Sequence, residues 1–587
     1  MISVNAVSRK RTKHDLRKNA ASYAFALPYF LLFAAFTAIP VIITVICAFT
    51  SFGMAGIPKW AGFSNFVTLF FDDERFPAAF GSTLLYSLCG GLVSYLLSFI
   101  AAWLINEAPR FLQSLFTFIF CAPSLAGNVY MLRSVAFSGE PFAPLNSLLT
   151  GLGITNMPTD WLSEGRYAFV CALAVQLWTG FGIVFLTFRA ALKSVDGTRY
   201  ELGAVEGIGN RFGELLHITL PAIAPQALFA ALIQTAMSFT ANDLLGQTLI
   251  NLANNHAAEF DMGSSCAVCT VIMALMLIVY GIIRRAMCNA VENSEHGELP
   301  EEHDRRRGVK TRSIGGNIAV IVLLILASAA MLFPILFTLI QSVKPAEELF
   351  QLPPKLYTVR PTANSFKALM RATGKLGVPF GRYLFNSVFV SVAVTAAQIV
   401  LTSMAAYVLA KVKAPLIKSL NRAVEIGLIF SAPVLFTARY MMMTELGMTD
   451  SYWALILPLA ASPAGVFLMR QFIRRIPDSI TEAAKLDGAS HWRILWRVIM
   501  PNAKPALITL IFISFTSAWQ STGDMFVRSE ELKLLPAIMR QLAENGAARA
   551  GTTYAVTVLF MLPPMILLAV FQKHITKALA CAELKDR

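Results

Sequence analysis

Charge is scarce in this sequence. Of 587 residues only 14% are Asp, Glu, Lys or Arg, while 56% are hydrophobic and the mean hydropathy is +0.60. Soluble globular chains carry roughly 25% charged residues. A chain this long would hold about four soluble domains, and their surfaces need charge that is not here. The same scarcity excludes intrinsic disorder, and length excludes a small disulfide scaffold. Cysteine is sparse too. Cys47, Cys89, Cys121 and Cys171 lie in apolar runs, where a free Cys behaves as a small hydrophobe. Cys266 and Cys269 form a C-x-x-C inside another apolar run, which argues against a redox or metal role. The seven His have no ligand spacing; His296 and His303 sit in a polar stretch. A phosphate-binding loop is missing, because Gly374-Lys375 is followed by Leu376 and lacks the upstream Gly. Asp72-Asp73-Glu74 is the one dense acidic cluster in an outer loop, and it reads as a solvated turn rather than an enzyme's paired carboxylates.

What is abundant is long apolar runs. A bilayer core about 30 Å thick needs roughly 20 apolar residues in a helix, and lipid offers no partner for a free backbone group. Six helical spans are expected in the first half, at 24–49, 82–105, 113–135, 167–191, 218–240 and 263–285. Residues 286–313 are polar and charged. Six more spans follow, at 315–341, 383–410, 420–443, 452–473, 502–520 and 553–575. The expected fold is an all-α polytopic membrane protein of about 12 transmembrane helices. Its divisions are a basic segment 1–19, a half at 20–290, a charged linker at 291–313 and a half at 314–587. The stretch after residues 9–18 is too long for a signal-peptide core. Pro28, Pro123, Pro433, Pro463, Pro563 and Pro564 fall within or at the ends of spans and are expected to kink them.

The 49 Lys and Arg against 35 Asp and Glu give +14. In a membrane protein such an excess marks cytoplasmic loops, not nucleic acid. Placing both termini in the cytoplasm puts about two Lys or Arg inside for each one outside. The outer connection 342–382 runs against this bias, with Lys344, Lys355, Arg360, Lys367, Arg371, Lys375 and Arg382. The halves resemble one another. Ala101 to Leu104 matches Ala405 to Val408, Ala122-Pro123 matches Ala432-Pro433, and Phe36 to Pro40 resembles Met331 to Pro334. Six spans return the chain to its starting side, so the repeats are parallel and enclose a central interface.

After span 4 the chain reads Thr198-Arg-Tyr-Glu201-Leu-Gly-Ala-Val-Glu206-Gly207 and runs to Pro221. After span 10 it reads Ser479-Ile-Thr-Glu482-Ala483-Ala484-Lys-Leu-Asp487-Gly488 and runs to Pro501. Thr198 and Ser479 precede a Glu by three, which predicts a capping box. Gly207 and Gly488 are suited to end the helix. A second short helix is expected to run to the Pro that starts the next span. Trp492 and Trp496, with Arg493 and Arg497, suit a headgroup-level helix. One such element could be only a capped turn; two, each in the fourth connection of its half, suggest a site gripped from the cytoplasm.

This element resembles the E-A-A-x-x-x-G loop through which membrane subunits of binding-protein-dependent ABC importers dock onto their ATPase subunits. Glu482-Ala483-Ala484 with Gly488 matches it closely. Glu201-Leu202-Gly203 departs from it, and one extra residue separates Gly207 from Pro221. Residues 20–290 look like the first permease subunit of the carbohydrate-uptake (maltose-type) class, through Trp60 to Phe66, Phe80 to Leu84 and Phe260 to Gly263. Residues 314–587 look like the second, through Tyr383 to Ser387, Ser462 to Phe472, Ile476-Pro477 and the tail from Pro563. The resemblance implies a type I ABC importer permease fold with both subunits fused, in a bacterial cytoplasmic membrane. It implies a non-enzymatic chain that binds no cofactor, with ATP used by two partner ATPase subunits or their homodimer. It also implies an extracytoplasmic solute-binding protein and a sugar or oligosaccharide as solute. Glu201, Glu206, Gly207, Glu482, Ala483, Ala484, Asp487 and Gly488 are the coupling residues it assigns.

Polar and aromatic residues inside spans are candidates for the solute path, since lipid burial of polar groups is costly. Gln176, Trp178, Gln234, Thr240, Asn386, Trp519 and Gln520 qualify; the alternative for each is a helix–helix hydrogen bond or an interfacial anchor. A 12-span secondary transporter of the major facilitator type is the rival reading. It would show a Gly- and Arg-rich signature between spans 2 and 3, where this chain has Asn106 to Arg110 and Lys411 to Pro415.

Overall fold

The computed structural model describes residues 20–578 except 54–57, 127–143, 152, 154, 156, 162–164, 196, 209, 241–247, 296–313, 350, 352–356, 413, 431, 524–525 and 544–549. The basic segment 1–19 and most of the linker 291–313 lie outside the described residues. Within them the fold is helical, with one two-stranded antiparallel pair, Thr50–Ser51 against Lys59–Trp60. Seven helices are long and apolar enough to cross a bilayer. They are Ala20–Cys47, Arg75–Glu107, Met262–Ala286, Ile318–Ser342, Phe380–Lys411, Tyr452–Arg474 and Gly551–Phe571, at the positions of spans 1, 2, 6, 7, 8, 10 and 12. Three bent pairs stand at spans 4, 5 and 11. Span 3 is described only as Arg110–Ala126. Span 9 is broken into Pro415–Gly427, a tight turn Ala432–Leu435 holding Pro433, and Phe436–Glu445.

Two boundaries differ from the expected ones. Spans 5 and 11 do not start at Pro221 and Pro501. Ile223 and Ala503 leave the helical conformation, and the spans begin after them as Ala224–Phe239 and Lys504–Trp519, each with a Pro in its first turn. Pro225 and Pro505 can occupy that turn because its N–H groups have no intrahelical acceptor. The second difference is span 6, which runs on as one helix, Met262–Glu295. Residues 286–295 contain neither Gly nor Pro, so nothing local stops the helix where the apolar run ends.

Each half lends its first span to the other. Span 1 packs Ala26, Tyr29 and Phe33 into a core with Ala405, Ala406, Tyr407 and Ile494. Span 7 places Leu324 in a core with Phe116, Phe120 and Phe185 of the first half. Phe229 stacks on Phe467 at 4.9 Å between spans 5 and 10.

The prolines organise much of this contact. A Pro has no N–H, so the carbonyl four residues earlier loses its helical donor. Arg439 Nε donates to Phe36 O at 2.9 Å, four residues before Pro40 and in a π-helical turn, Ala34–Ala38. Gln398 Nε2 donates to Leu459 O at 2.6 Å, four before Pro463. Trp519 Nε1 donates to Phe560 O at 2.9 Å, four before Pro564. Trp178 Nε1 donates to Met331 O at 3.1 Å, one turn before Pro334. The first and last of these bonds join the two halves.

Leaving a buried carbonyl unpaired costs about 1–3 kcal/mol. Arg439→Met should therefore lower the unfolding free energy in detergent micelles by about that amount, and the loss should shrink when Pro40→Ala returns an N–H to the helix. A loss of equal size in both backgrounds would show that the guanidinium does not act through this carbonyl.

Candidate functional site

The two elements after spans 4 and 10 fold alike. The first lever is the helix Gly197–Val205 and the second is Asp478–Leu486. Gly207 and Gly488 stand just past their ends at φ +86° and +73°, the left-handed region that favours glycine. The N–H of Gly207 bonds Ala204 O at 3.3 Å and that of Ile208 bonds Gly203 O at 2.9 Å. The N–H of Gly488 bonds Lys485 O at 3.0 Å and that of Ala489 bonds Ala484 O at 3.0 Å. Both ends thus form the same paired closure. Each lever then meets an arm, 211–222 or His491–Asn502, that turns into the next span through 82° or 94°.

The capping boxes do not form. The helices begin at Gly197 and Asp478, so Thr198 and Ser479 lie inside their first turns. In the second lever Pro477 takes the cap position without a side-chain bond, and Asp478 brings negative charge to the helix N-terminus, where the dipole favours it.

Part-buried contacts tie each lever to its arm or to the spans. Lys411, the last residue of span 8, donates to Ile476 O and pairs with Asp478 at 2.8 Å. His491 on the second arm lies 3.2 Å from the Tyr407 hydroxyl and 3.4 Å from Ser22 Oγ. Burial, then the nearby Lys485 charge, holds His491 below its ordinary pKa, which favours the neutral ring. In the first half Tyr200 and Thr219 hydroxyls meet at 2.9 Å. Arg189 and Arg470 each stand twelve residues before the lever glutamate. Arg189 donates to Ala102 O and Asn106 Oδ1, both at 3.4 Å. Arg470 donates to Asn421 Oδ1 at 2.6 Å and to Glu425 Oε1 at 3.3 Å. Glu425 also faces Arg284 of the first half at 3.9 Å.

Glu201, Glu206, Gly207, Glu482, Ala483, Asp487 and Gly488 are exposed, and Ala484 is half-buried. Two exposed apolar residues were missed in the sequence. Val205 and Leu486 stand at equivalent places, four after the lever glutamate, and are 86% and 88% exposed. Their signal was there: an apolar residue on an otherwise polar helix face, repeated in both halves.

The path candidates fare differently. Trp519 is 1% exposed, sandwiched between Phe515 and Phe560, and serves the proline-freed carbonyl. Trp178 donates to Met331 O of the other half at 3.1 Å. Asn386 is fully buried and clamps the outer loop by donating to Glu531 O at 2.7 Å and Lys533 O at 3.1 Å, while accepting from the Tyr452 hydroxyl at 2.8 Å. Gln176 Nε2 donates to Ser238 Oγ at 2.9 Å, and that hydroxyl bonds Gln234 O at 2.8 Å. Gln176 and Gln234 each keep one buried amide oxygen without a partner. Thr240 bonds back to Ala236 O at 2.7 Å within its own helix. Gln520 is exposed and bridges the halves by donating to Ser124 O at 2.8 Å. The structure brings Gln176 and Gln234 together through Ser238 and leaves the other five apart. Among the described residues no cluster suits a metal ion.

Residues 320–580 match the family described as binding-protein-dependent transport system inner membrane component. The sn-glycerol-3-phosphate transport system permease protein UgpE of Yersinia enterocolitica is 27% identical over 274 residues, covering 46% of this chain and 98% of that protein. Protein LplC of Bacillus subtilis is 29% identical over 222 residues, covering 35% of this chain and 75% of its own. A solved bacterial ABC transporter involved in the import of the acidic polysaccharide alginate aligns with 22% identity and a TM-score of 0.40, over 45% of this chain and 99% of that one.

At Gly203 the first lever's departure from E-A-A meets a movable neighbour. A Cβ on Gly203 would lie 2.3 Å from Ile218 Cδ1, and the second half has Ala484 and Val498 at the equivalent places. Gly203→Ala should make the first lever more open to limited proteolysis in proteoliposomes, and adding Ile218→Val should restore resistance. No rescue by the pair would place the strain elsewhere.

Proposed function

We infer that this chain, whose residues 320–580 belong to the family of binding-protein-dependent transport inner membrane components, is the permease of an ABC importer and carries both permease halves. The observation that carries this is the pair of equivalent levers, rigidly capped, tied to their arms or to the spans and exposed at their tips. A secondary transporter has no use for them. The lever chemistry is contact, not catalysis. Each presents carboxylates and one bare apolar tip, and burying a side chain such as Leu486 in a partner's cleft is worth about 1.5–3 kcal/mol. The partner is a pair of ATPase subunits on the cytoplasmic side. ATP would be theirs; the chain's family is a transport component.

The mechanism is alternating access. ATP-driven closure of the ATPase pair draws the levers together, and the two bundles rock about their interface. The docked levers must make different contact energies in the two states, or no coupling results. The Arg284–Glu425 contact between halves lies near the lever end and would change in such a motion. The family's description implies delivery by a solute-binding protein on the opposite side. The solute belongs to the carbohydrate and polyol class; the names of the UgpE relatives support a phosphorylated polyol within it.

In proteoliposomes with the ATPase subunits, Leu486→Asp and Glu482→Lys should each reduce solute uptake at least tenfold and detach ATPase activity from solute delivery. Insertion and thermal stability should stay as in the parent chain. Val205→Asp should act in the same direction through the first lever. Full uptake in all three variants would refute the docking role.

A further inference from the structure

The outer connection between the first two spans holds a short helical segment in both halves, Ser64–Val67 running into a π-helical turn Thr68–Asp72 in the first and Asn364–Gly374 in the second. Leu69 and Leu369, three residues after Phe66 and Phe366, are each 1% exposed. What the two elements show to solvent is opposite. In the first half Val67, Phe70 and Phe71 face outward, Phe71 being 84% exposed. The matching positions of the second half are Lys367, Met370 and Arg371, all exposed. The helix Asn364–Gly374 buries Ser365, Leu369 and Thr373 on one stripe. Lys367, Arg371 and Lys375, just past its end, form the facing stripe, spaced four apart or about 6 Å along the axis.

Among the described residues nothing pairs with this ridge. The helix has no carboxylate, and among the described residues Lys367, Arg371 and Lys375 make no ion pair. Of the two nearby acids, Glu348 is engaged internally, accepting from the Thr358 hydroxyl and the N–H groups of Val359 and Arg360. Like charges four apart in a helix destabilise it by about 0.2–0.5 kcal/mol per pair. The fold does not need them, because the first half builds its helical segment at this place without them.

We propose that the ridge Lys367–Arg371–Lys375 is an electrostatic docking surface for an acidic face of the solute-binding protein; this rests on the permease reading. The ridge is on the correct side. It leads into the first residue of span 8, and the second lever is tethered to the last, Lys411, about 48 Å away. A lipid surface fits less well, since the apolar stripe of a membrane-lying helix is here spent on the protein core. A free solute fits less well, since small ligands take concave sites and this is a convex helix face.

The test uses the full chain with its ATPase subunits in zwitterionic nanodiscs, and the solute-binding protein that co-purifies with the intact transporter as the immobilised probe. The variant K367Q/R371Q/K375Q should lower the association rate about tenfold at low salt, flatten its salt dependence and leave dissociation nearly unchanged, the pattern of lost steering. It should keep the parent's thermal stability and basal ATPase activity. An unchanged rate and salt slope, with solute delivery still stimulating the ATPase, would overturn the ridge and leave the permease reading standing. Absence of any co-purifying solute-binding protein, with no stimulation in the parent, would overturn both. A dye on Lys367→Cys that responds to phosphatidylglycerol nanodiscs without the probe, with no rate effect in the triple variant, would assign the ridge to lipid instead.

Discussion

A proline inside a membrane helix strands a carbonyl, and lipid has nothing to give it. In this chain that constraint fixes how the halves meet. Three such carbonyls, at Phe36, Leu459 and Phe560, are each met by a side-chain donor from a neighbouring span, and Trp178 reaches a fourth carbonyl, Met331 O, three residues before Pro334. Two of these four donors, Arg439 and Trp178, come from the other half. Proline thus does two things at once: it weakens a helix locally and obliges a specific neighbour to repair it. Apolar packing has no comparable direction inside lipid, where helix faces and lipid tails are about equally apolar. The bonds at prolines supply register that packing alone would leave loose.

That register bears on transport. Spans 1 and 7 are bound to the opposite half by Arg439 and Trp178, so each bundle carries a strap from its partner. Relative motion is then confined to places without such ties. The elbows at Ile223 and Ala503 are obvious ones, since both leave helical geometry between two helices. The second lever and its arm are held against the spans by Lys411 and His491, and Tyr200 ties the first lever to its arm. A push on the lever tip is therefore passed to the bundle rather than absorbed in a loop.

Much of this was legible beforehand. Apolar run lengths placed the seven long spans and the three bent pairs, while span 3 is described only in part and span 9 is broken into short pieces; the lever spacing placed both short helices and their terminal glycines. The capping boxes were misread because the helices start at Gly197 and Asp478, two residues before a cap at Thr198 or Ser479 would allow, which a three-residue spacing cannot reveal. The path residues show a different gap. Trp519 and Trp178 stood out because a polar group in lipid demands a partner. Trp519 donates to Phe560 O, four before Pro564, and Trp178 to Met331 O, three before Pro334; both make the helix–helix hydrogen bond weighed as the alternative. Which donor answers which proline is a tertiary fact, set by packing between distant segments. Arg189 and Arg470 escaped because a lone Arg near a span end reads as a snorkelling anchor, although their equal distance from the two lever glutamates was available.

The two halves show where a repeat is free to diverge. Inside the membrane some duplicated elements keep matching interruptions: spans 4 and 10 break at Gly180-Phe181 and Ala461-Ser462, and spans 5 and 11 turn at matching elbows. Even the lever substitution is compensated, with Gly203 and Ile218 in one half where the other has Ala484 and Val498. Backbone geometry at these points is dictated by hydrogen bonding in a medium without water, so both copies must solve it alike. At the outer ends water satisfies the backbone and that constraint lapses. There Phe71 stands against Arg371 and Val67 against Lys367 at matching positions. Divergence concentrated where the fold makes no demand is the signature of a surface shaped by what it touches.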